Sequence, residues 1–553
     1  MPTASEPPNR HTADAAQTRD DLMVLRPELG QRYDAELPGA RAAVLARLLG
    51  AVDREPLPGL TARNAGTATF RTGDHTRHDT GDGPTAGAAG TAWECHLPTG
   101  TQSHPHQAGF TLGYPEAAAA AFATAQAGLT VDVCHGPDSS RLDDPGTLVR
   151  LIWGDVPLAA EIDNSVANLA LARANRPTHD LPAQDDPDAL ALLEQRVTDG
   201  HPLHPCCRTR GGMTVADVLA YGPEHSPVVR LRRLRVPAGR WTGTGEPVLL
   251  AHPWQAGRLR ERHRWLTDDG ETGPVRPLMS LRTVAPVGGG AHIKTAVDVQ
   301  MTSAVRTVSP AAVTNGPLLS ALLPRLTAGL PLDVLAETTA GAVLVGGQPQ
   351  RGLAFLVRQA PVLARGETAI PLGVLGAVPV LLERVHDAYS WWDLLCRKLF
   401  APLLALLERG VALEAHGQNT LVVLRDGRPH RVLYRDFGGV RVSAVRLRAA
   451  GVEVPPLLGD VPSDDPAELR TKVAAAALGN AAAHLIAGFT RRGDDPDRLW
   501  RITAAAIRAT GTADAAHLLR DPLPIKATTA MRLAADPLDD LWAPSDNPLA
   551  AHA

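Results

Sequence analysis

Two short segments, residues 414–419 and 435–439, flank a β-hairpin signal in the C-terminal part of the sequence. The residues between them form two apolar stretches with strand-like composition, joined by an Asp-Gly pair that favours a tight turn. A hairpin would bring Asn419, just before its first strand, and Asp436, just after its second, to the same end of the ribbon. The sequence therefore predicts that the two segments form one site.

The side chains of this predicted site suit a metal ion and a nucleotide. Glu414, Asn419 and Asp436 offer hard oxygen ligands, and Mg²⁺ prefers a few protein oxygens with water and phosphate in its remaining positions. Protein kinases place an asparagine and an aspartate on Mg²⁺ in this way, but they also carry a catalytic aspartate two residues after a histidine. The residue two after His416 is Gln418, which cannot act as a base.

Gln418 bears on the type of reaction. A hydroxyl group that attacks phosphorus benefits from a base, whereas a carboxylate is already ionised at neutral pH and needs positive charge and alignment. We therefore expect ATP to activate a carboxylic acid at this site. A small-molecule kinase or phosphotransferase with a kinase-like ATP site is one alternative. A purely structural role for His416 and Asp436, as turn residues, is another.

Composition limits the partners and the compartment. The net charge of -4 gives no reason to expect a nucleic-acid partner. The five cysteines are too few and too scattered for a disulfide framework, which fits a reducing cytoplasm. Residues 1–21 lack an apolar core and are predicted to be a disordered tail, and no later window has the apolar run of about 20 residues that a membrane span needs. We therefore expect no membrane partner.

A second candidate region contains a lysine in a strand pattern. Ile293 stands where a P-loop needs the glycine before its lysine, so this is not a P-loop. The alternation of Ile293 and Thr295 places Lys294 on a strand, as in kinase-like folds. Arg306 follows closely enough to reach the same cleft. Solvent-facing charge on an edge strand is the alternative for both cations.

A third candidate region is residues 200–212, with two histidines, two cysteines and two arginines. A zinc site is disfavoured, because the prolines force extended backbone and the adjacent cysteines lack the usual spacing between ligands. Rigid, extended backbone that presents His201, Arg208 and Arg210 makes better sense as an anion-binding edge.

These motifs occur in one order along most of the chain. The order is the His201 segment, His252-Pro253-Trp254-Gln255, Ser280-x-Arg282-Thr283, Glu414-x-His416-Gly417-x-Asn419, Arg435-Asp436-Phe437-Gly438, Met531-Arg532 and Asn547-Pro548-Leu549. With them the chain resembles the NRPS-independent siderophore synthetases of the aerobactin-synthetase type.

The resemblance implies an α+β fold of three domains in a cupped-hand arrangement of thumb, fingers and palm. We expect a mostly helical thumb at residues 22–176 and a β-rich, phosphate-binding fingers domain at 177–350. The palm, at 351–553, is expected to be helical and to carry the kinase-like Mg²⁺ and ATP site on the hairpin.

The resemblance also implies an activity. ATP would activate citrate, a citrate-derived acid or another polycarboxylic acid as an acyl-adenylate. An amine or hydroxyl group would then attack to give an amide or ester, with release of AMP and pyrophosphate. We expect a homodimer that acts on these small molecules with ATP and Mg²⁺ as cofactors. A catalytically silent binding homologue is the alternative outside the enzymes.

Site residues carry over by position from the same resemblance. It assigns ATP binding to Ser280, Arg282, Thr283, Lys294, His201, Asn419 and Asp436, acid binding to Arg306, His416, Thr302 and Ser303, and Mg²⁺ to Glu414, Asn419 and Asp436. His416, Arg306, Lys294 and His201 are the expected catalytic residues. Their chemistry agrees, because attack of a carboxylate on a phosphate brings together two anions whose charge must be neutralised. One departure is Arg208, which stands where the family usually has a lysine.

Overall fold

A computed structural model describes residues 12–71, 109–177, 180–536 and 540–553. Its N-terminal part combines helices with a five-stranded antiparallel sheet whose strands follow chain order. The helices are α1 (Ala15–Leu25), α2 (Gly30–Arg54), α3 (Glu116–Ala119), α4 (Pro145–Trp153) and α5 (Pro157–Ala174). The strands are β1 (Leu60–Asn64), β2 (Thr67–Arg71), β3 (Gly109–Gly113), β4 (Val131–His135) and β5 (Asp138–Leu142).

Helix α1 corrects the prediction of a disordered tail at residues 1–21. The helix starts at Ala15, and the Asp14 carboxylate caps it by accepting a hydrogen bond of 2.9 Å from Gln17 N. Thr18 and Leu22 are buried by packing, which stabilises a segment whose composition alone suggests disorder. Residues 1–11 lie outside the described residues.

The five-stranded sheet was not predicted in the region expected to be mostly helical. Its first and last strands, β1 and β5, expose most of their residues. Their polar sequences therefore lack the alternation of apolar and polar residues that marks a half-buried strand.

The middle part contains a six-stranded antiparallel sheet. In spatial order its strands are β10 (Val275–Pro277), β11 (Thr283–Pro286), β12 (His292–Thr295), β17 (Gln348–Arg358), β16 (Glu337–Val345) and β7 (Trp241–Gly243). A second sheet has the order β8 (Val248–Ala251), β6 (Arg232–Arg235) and β9 (Thr267–Glu271), and a small hairpin joins β13 (Gln300–Met301) to β14 (Ala304–Val305). The helices here are α6 (Ala189–Gln195), α7 (Val215–Tyr221), α8 (Pro253–Arg262) and α9 (Pro310–Thr327).

One predicted domain boundary disagrees with the six-stranded sheet. The division between residues 350 and 351 falls inside β17, which pairs with both β12 and β16. The glycines at 346 and 347 form the turn of the β16–β17 hairpin, with φ of 59° and 78°, so they do not mark a linker between domains.

The C-terminal part surrounds a four-stranded sheet. Its strands, in spatial order, are β15 (Leu332–Val334), β21 (Arg428–Tyr434), β20 (Thr420–Arg425) and β18 (Glu367–Pro371), and short pairs join β19 (Val411–Ala412) to β22 (Arg441–Val442) and β23 (Leu523–Lys526) to β24 (Trp542–Ser545). The helices are α10 (Leu372–Ala377), α11 (Pro379–Glu383), α12 (Ala388–Glu408), α13 (Ala444–Ala449), α14 (Pro466–Val473), α15 (Ala483–Arg491), α16 (Pro496–Arg508), α17 (Ala513–Arg520) and α18 (Thr528–Leu533), with a π-helical segment at Ala474–Ala482.

The predicted hairpin is confirmed. Strands β20 and β21 pair in antiparallel register, with Thr420 opposite Tyr434. Asp426 and Gly427 form the turn with φ of 51° and 74°, both in the left-handed region that a tight hairpin turn requires.

Helix α12 packs against the hairpin formed by β20 and β21. Leu395, Leu399, Leu403 and Leu407 are at most 1% exposed in the largest core, and α12 packs against β21. Burial of a leucine side chain stabilises a fold by about 1.5–3 kcal/mol, so this stripe fixes the position of the hairpin. The helical run Pro466–Arg491 is long and apolar enough to span a bilayer, but 72% of its apolar window is buried in the same core, which is typical of a core helix.

Glu55 joins the N-terminal helices to the C-terminal end of the chain. Its carboxylate follows α2 and accepts hydrogen bonds of 2.8 Å from Thr529 N and Ala530 N, in the first turn of α18. Burial raises the pKa of Glu55 to about 7, although the two backbone donors lower it in part. The folded protein therefore favours the protonated carboxyl more strongly than the unfolded chain does.

We expect Glu55→Gln to flatten the dependence of stability on pH. The stability contributed by Glu55 is fully present below the unfolded pKa of about 4.5 and is lost as pH rises through the folded pKa of about 7. Urea unfolding at pH 5 and pH 7.5 measures the free energy of unfolding. Its change between the two pH values should differ between the two proteins by about 2 kcal/mol. Glu408→Gln, at an exposed site on α12, is the control. An equal pH dependence in the Glu55→Gln and unmodified proteins would contradict the assignment.

Candidate active site

An ion pair between Lys294 and Asp436 lies at the centre of the site. Lys294 Nζ donates to both carboxylate oxygens of Asp436 at 2.7 Å. Lys294 is 5% exposed on β12, so the alternative of a solvent-facing lysine on an edge strand is wrong. Burial lowers the pKa of Lys294 and Asp436 raises it. For Asp436, burial alone would raise the pKa of the carboxyl, but Lys294, Arg358 and Arg282 hold it well below its usual range.

Backbone geometry aims Asp436 at Lys294. Asp436 follows β21 and has a φ of 75°, a left-handed conformation that is uncommon outside glycine. The preceding residue, Arg435, is buried and donates from Nε and Nη2 to the Gln418 carbonyl at 3.1 and 2.9 Å. Arg435 therefore acts inside the fold, where it ties Asp436 to the segment that contains His416.

The Ser280 to Thr283 segment lies beside the same ion pair. Thr283 is directly opposite Lys294 in the β11–β12 register, so the two side chains share a face of the sheet. Leu281, which lies between Ser280 and Thr283 in the sequence, is fully buried and has a φ of 64°. Arg282 donates to the Thr307 carbonyl, and burial lowers the pKa of its guanidinium while Asp436 raises it.

The β13–β14 turn carries the residues expected to bind the acid. Arg306 donates to Thr302 Oγ1, and Thr302 has a φ of 50°. Ser303 Oγ lies 2.8 Å from His204 Nε2. Burial, with Arg282 and Arg210 nearby, lowers the pKa of Arg306 to about 9. Within the described part of the chain, the buried Nε atoms of Arg282 and Arg306 have no hydrogen-bond partner, which fits a site that binds anions.

His201 and His416 are neutral imidazoles, and their hydrogen bonds define which ring nitrogen carries the proton. His201 Nδ1 accepts from Leu203 N at 3.3 Å and His204 N at 3.1 Å, and His416 Nδ1 accepts from Gln418 N at 3.2 Å. In a neutral imidazole the proton is then on Nε2, which can donate to an oxygen of a ligand. Burial, together with the nearby His416, lowers the pKa of His201 to about 3. Burial also lowers the pKa of His416, although Glu414 and Asp436 raise it.

The loop that carries His416 is held on both sides of Gly417. Gly417 N donates to Asn480 Oδ1 at 3.1 Å, and the Gly417 carbonyl accepts from Gly373 N at 2.7 Å. A Cβ on Gly417 would lie 2.8 Å from Gly373 N, so the close contact requires glycine. Asn480 belongs to the π-helical segment, a type of irregularity that is frequent at functional sites.

The three expected magnesium ligands differ in their surroundings. Glu414 lies against Gly439, since a Cβ there would be 1.9 Å from Glu414 Oε2, and its other oxygen is 3.9 Å from Lys472 Nζ. Asn419 is buried, and Asp436 binds Lys294. Among the residues that the structure describes, no group of three His, Cys, Asp or Glu side chains could hold a metal alone. Two carboxylates and an amide fit a Mg²⁺ ion that keeps phosphate and water as ligands.

The arginines of the predicted anion-binding edge do not face the cleft. Arg208 donates to Glu224 Oε2 at 3.0 Å and to the Thr198 carbonyl at 2.7 Å. Arg210 donates to Glu224 Oε1 at 2.7 Å. Both arginines and Glu224 are at most 3% exposed. Their interpretation as anion ligands is therefore wrong, because a buried guanidinium needs a carboxylate in the fold. Arg208, which stands where the family usually has a lysine, has enough N–H donors to bind both Glu224 and the Thr198 carbonyl in this core.

Five charged residues near the site, Arg358, Glu337, Lys472, Lys526 and Asp540, were not assigned to it from the sequence. Arg358 Nη2 lies 3.1 Å from Glu337 and 3.4 Å from Asp436. Lys472 and Lys526 lie 2.8 and 2.6 Å from the two oxygens of Asp540. The chain has only four lysines against 51 arginines, the fourth being Lys398. The rarity of lysine was the signal that would have identified Lys472 and Lys526.

The expected site residues thus gather in one region. Of the twelve, Thr283, Lys294 and Asn419 are buried and the other nine are partly exposed, as expected for the lining of a cleft. Arg532 forms an ion pair with Glu161, so the C-terminal Met-Arg motif joins α18 to α5.

Two family models match the chain. The IucA / IucC family matches residues 189–246 and 242–377, and a model described as ferric iron reductase FhuF-like transporter matches residues 390–549. Staphyloferrin A synthase of Staphylococcus aureus (strain NCTC 8325 / PS 47) is 27% identical over 321 residues, which cover 48% of this chain and 55% of that protein. The chain thus spans about half the length of this curated relative.

Solved structures match over nearly the whole chain. The petrobactin biosynthesis protein AsbB from Bacillus anthracis str. Sterne has a TM-score of 0.73 at 17% identity, with 98% of both chains covered. ATP-bound aerobactin synthetase IucA from Klebsiella pneumoniae has a TM-score of 0.69 at 18% identity, with 92% of this chain and 99% of that chain covered. The α+β fold expected from the sequence is therefore confirmed by its similarity to these solved structures.

Proposed function

We propose that this protein is an ATP-dependent synthetase of siderophore biosynthesis. It activates a polycarboxylic acid, such as citrate or a citrate-derived acid, as the acyl-adenylate and joins it to an amine or hydroxyl group. The observation that carries the proposal is the cluster of Lys294, Arg282, Arg306 and two neutral imidazoles near Asp436, beside Gln418. This cluster neutralises anions and offers hydrogen bonds, but His416 has no aspartate two residues later to act as a base.

Adenylation begins when a carboxylate oxygen of the acid attacks the α-phosphorus of ATP. A bond forms between that oxygen and phosphorus, the bond from phosphorus to the bridging oxygen breaks, and pyrophosphate leaves with the electron pair. Lys294 and Arg282 neutralise phosphate charge, while Arg306, Thr302 and Ser303 bind the acid. A Mg²⁺ ion held by Glu414, Asn419 and Asp436 would screen the charge of the phosphates when it is bound.

The second step transfers the acyl group. The nucleophile attacks the acyl carbon, the bond to the AMP oxygen breaks, and AMP leaves with the electron pair. Negative charge develops on the carbonyl oxygen, and the Nε2–H groups of His201 and His416 are donors for it. Preorganised donors in a partly buried site lower the barrier without moving a proton.

The kinase alternative has less support, because Gln418 cannot take a proton from an attacking hydroxyl group. We place the reaction in the cytoplasm, where ATP is available and the free thiols of Cys206, Cys207 and Cys396 stay reduced. The homodimer stays a prediction, as do the division into thumb, fingers and palm and the kinase-like character of the nucleotide site.

Lys294→Ala and Asp436→Ala are each expected to lower acid-dependent AMP formation by about 10²-fold or more, because the first removes a cation at the phosphates and the second removes a Mg²⁺ ligand. Mass spectrometry of AMP, ADP and pyrophosphate across a panel of carboxylic acids measures the effect. Asp436→Asn keeps the size of the side chain, so it separates lost charge from misfolding. Lys398→Ala, on α12, is the matched lysine control and should retain full activity.

Full activity in both site variants, with circular dichroism unchanged, would remove the proposed site. Formation of ADP instead of AMP by the unmodified protein would establish the phosphotransferase. Absence of acid-dependent exchange between ATP and pyrophosphate for every acid would support a silent homologue.

His416 is expected to act as a hydrogen-bond donor. His416→Gln keeps an N–H donor and should retain at least about tenfold more activity than His416→Ala. Because the pKa values of His201 and His416 are both lowered, the neutral imidazoles persist as pH falls through 6.5. Any histidine titration in the rate should therefore have its midpoint below pH 6.5. An inflection near pH 6.5 that disappears in His416→Gln would instead identify a general base.

A further inference from the structure

His204 is a buried histidine of the segment at residues 200–212, and the proposed reaction gives it no role. Its Nδ1 accepts a hydrogen bond of 3.0 Å from Cys206 N, and its Nε2 lies 2.8 Å from Ser303 Oγ. A ring nitrogen that accepts a hydrogen bond carries no proton, so the proton of the neutral ring is on Nε2. Burial, together with the nearby His201, holds the pKa of His204 well below its usual range, which keeps the ring neutral. His204 Nε2 therefore donates, and Ser303 Oγ accepts.

The hydrogen bond from His204 determines what the Ser303 hydroxyl can do. Its oxygen accepts from His204, and within the described part of the chain no acceptor takes its own proton. Ser303 is also partly exposed. Thr302 differs, because its hydroxyl donates to the Met301 carbonyl at 2.7 Å and accepts from Arg306. Ser303 is therefore the hydroxyl of this turn whose proton is available to a ligand.

Backbone contacts hold the β13–β14 turn against the segment that carries His204. Gly211 N donates to the Gln300 carbonyl at 3.0 Å, and Gln300 N donates to the Gly211 carbonyl at 3.3 Å. Gln300 Nε2 also donates to the Thr302 carbonyl at 2.9 Å. These contacts hold the turn in place independently of the His204 side chain. The hydrogen bond from His204 to Ser303 is thus an addition that sets the direction of one hydroxyl group.

The Ser303 hydroxyl lies among the groups proposed to bind the acid. The rings of His201 and His204 have centroids 6.0 Å apart, with an angle of 82° between their planes. Burial is the main cause that lowers the pKa of both imidazoles, and the Arg306 guanidinium is close enough to add to it. Arg306 is expected to bind the acid, and His201 is proposed to face its acyl group. Ser303 is therefore placed to contact the same molecule.

Building on the proposed function, we propose that His204 is a positioning residue that fixes the Ser303 hydroxyl as a hydrogen-bond donor to a carboxylate oxygen of the acid. His204 donates to Ser303 and Ser303 donates to the acid, so the two hydrogen bonds point the same way and strengthen each other. The imidazole does not touch the acid and moves no proton during the reaction. Because the acid makes this contact before adenylation and keeps it afterwards, the contact lowers the KM for the acid and leaves kcat unchanged.

Nuclear magnetic resonance tests the position of the ring proton directly. Protonated and unprotonated ring nitrogens differ in ¹⁵N chemical shift, so long-range ¹H–¹⁵N correlation of protein labelled with ¹⁵N-histidine identifies the tautomer. The signals of His204 are assigned by their absence in His204→Asn or His204→Gln. We expect a neutral ring with its proton on Nε2 at pH 6 and at pH 8. A proton on Nδ1, or an imidazolium, would overturn the proposal.

Two single variants measure the effect on the acid. His204→Asn keeps an acceptor near the position of Nδ1 for Cys206 N, but its side chain is too short to reach Ser303. Hydroxylamine traps the adenylate as a hydroxamate, and the rate across a panel of polycarboxylic acids gives the KM for each acid. We expect Ser303→Ala to raise this KM about tenfold and His204→Asn to raise it about fivefold, with kcat and the KM for ATP changed by less than about twofold.

The double variant that combines His204→Asn with Ser303→Ala separates orientation from a purely structural role. If His204 acts through Ser303, the double variant should have the same KM for the acid as Ser303→Ala, because the hydroxyl that His204 orients is absent. His517→Asn, at an exposed position on α17, is the matched control and should change nothing.

Three kinetic results contradict this account, and they have different meanings. Effects that multiply in the double variant would show that His204 acts independently of Ser303, which overturns the proposal. An unchanged KM for the acid in Ser303→Ala or in His204→Asn overturns it as well. Failure to form a hydroxamate with any acid overturns the proposed function instead. The tautomer of His204 is measured without turnover, so the two failures are distinguishable.

Discussion

The ion pair between Lys294 and Asp436 joins the two sheets on which the site depends. Lys294 belongs to a central strand of the six-stranded sheet, and Asp436 follows the hairpin of the four-stranded sheet. Both carboxylate oxygens are engaged by Lys294, and Arg358 adds a second cation that Glu337 holds in place. Breaking a pair of this kind by removing one partner leaves an uncompensated buried charge, which costs a fold about 3–5 kcal/mol.

Around this pair, the backbone is strained where function is proposed. Leu281, Thr302 and Asp436 have φ values of 64°, 50° and 75°, and each lies in a segment expected to contact phosphate, acid or metal. Strain of about 1–3 kcal/mol per residue persists only where the surrounding structure determines the conformation. Burial of Leu281 in the core and the binding of Arg435 to the Gln418 carbonyl provide that surrounding structure.

The sequence predicted features that local chemistry determines. The hairpin followed from its Asp-Gly turn, and the strand position of Lys294 followed from its alternating neighbours. The order of the motifs led to the expectation of the α+β fold that the solved structures share. Features that depend on distant partners were missed or misread. Lys526 reaches the site through a C-terminal strand, Glu337 acts through Arg358, and Arg208 is paired with Glu224 inside the core. Neither spacing nor composition shows which partner a charged side chain will find.

The central claim is that a carboxylate oxygen attacks the α-phosphorus of ATP at this site. Labelling the carboxylates of the acid with ¹⁸O tests it directly, because that oxygen stays on phosphorus when the nucleophile displaces AMP. Mass spectrometry of the products should find one ¹⁸O atom in each AMP and none in pyrophosphate. Unlabelled AMP, or ADP as the nucleotide product, would contradict the account.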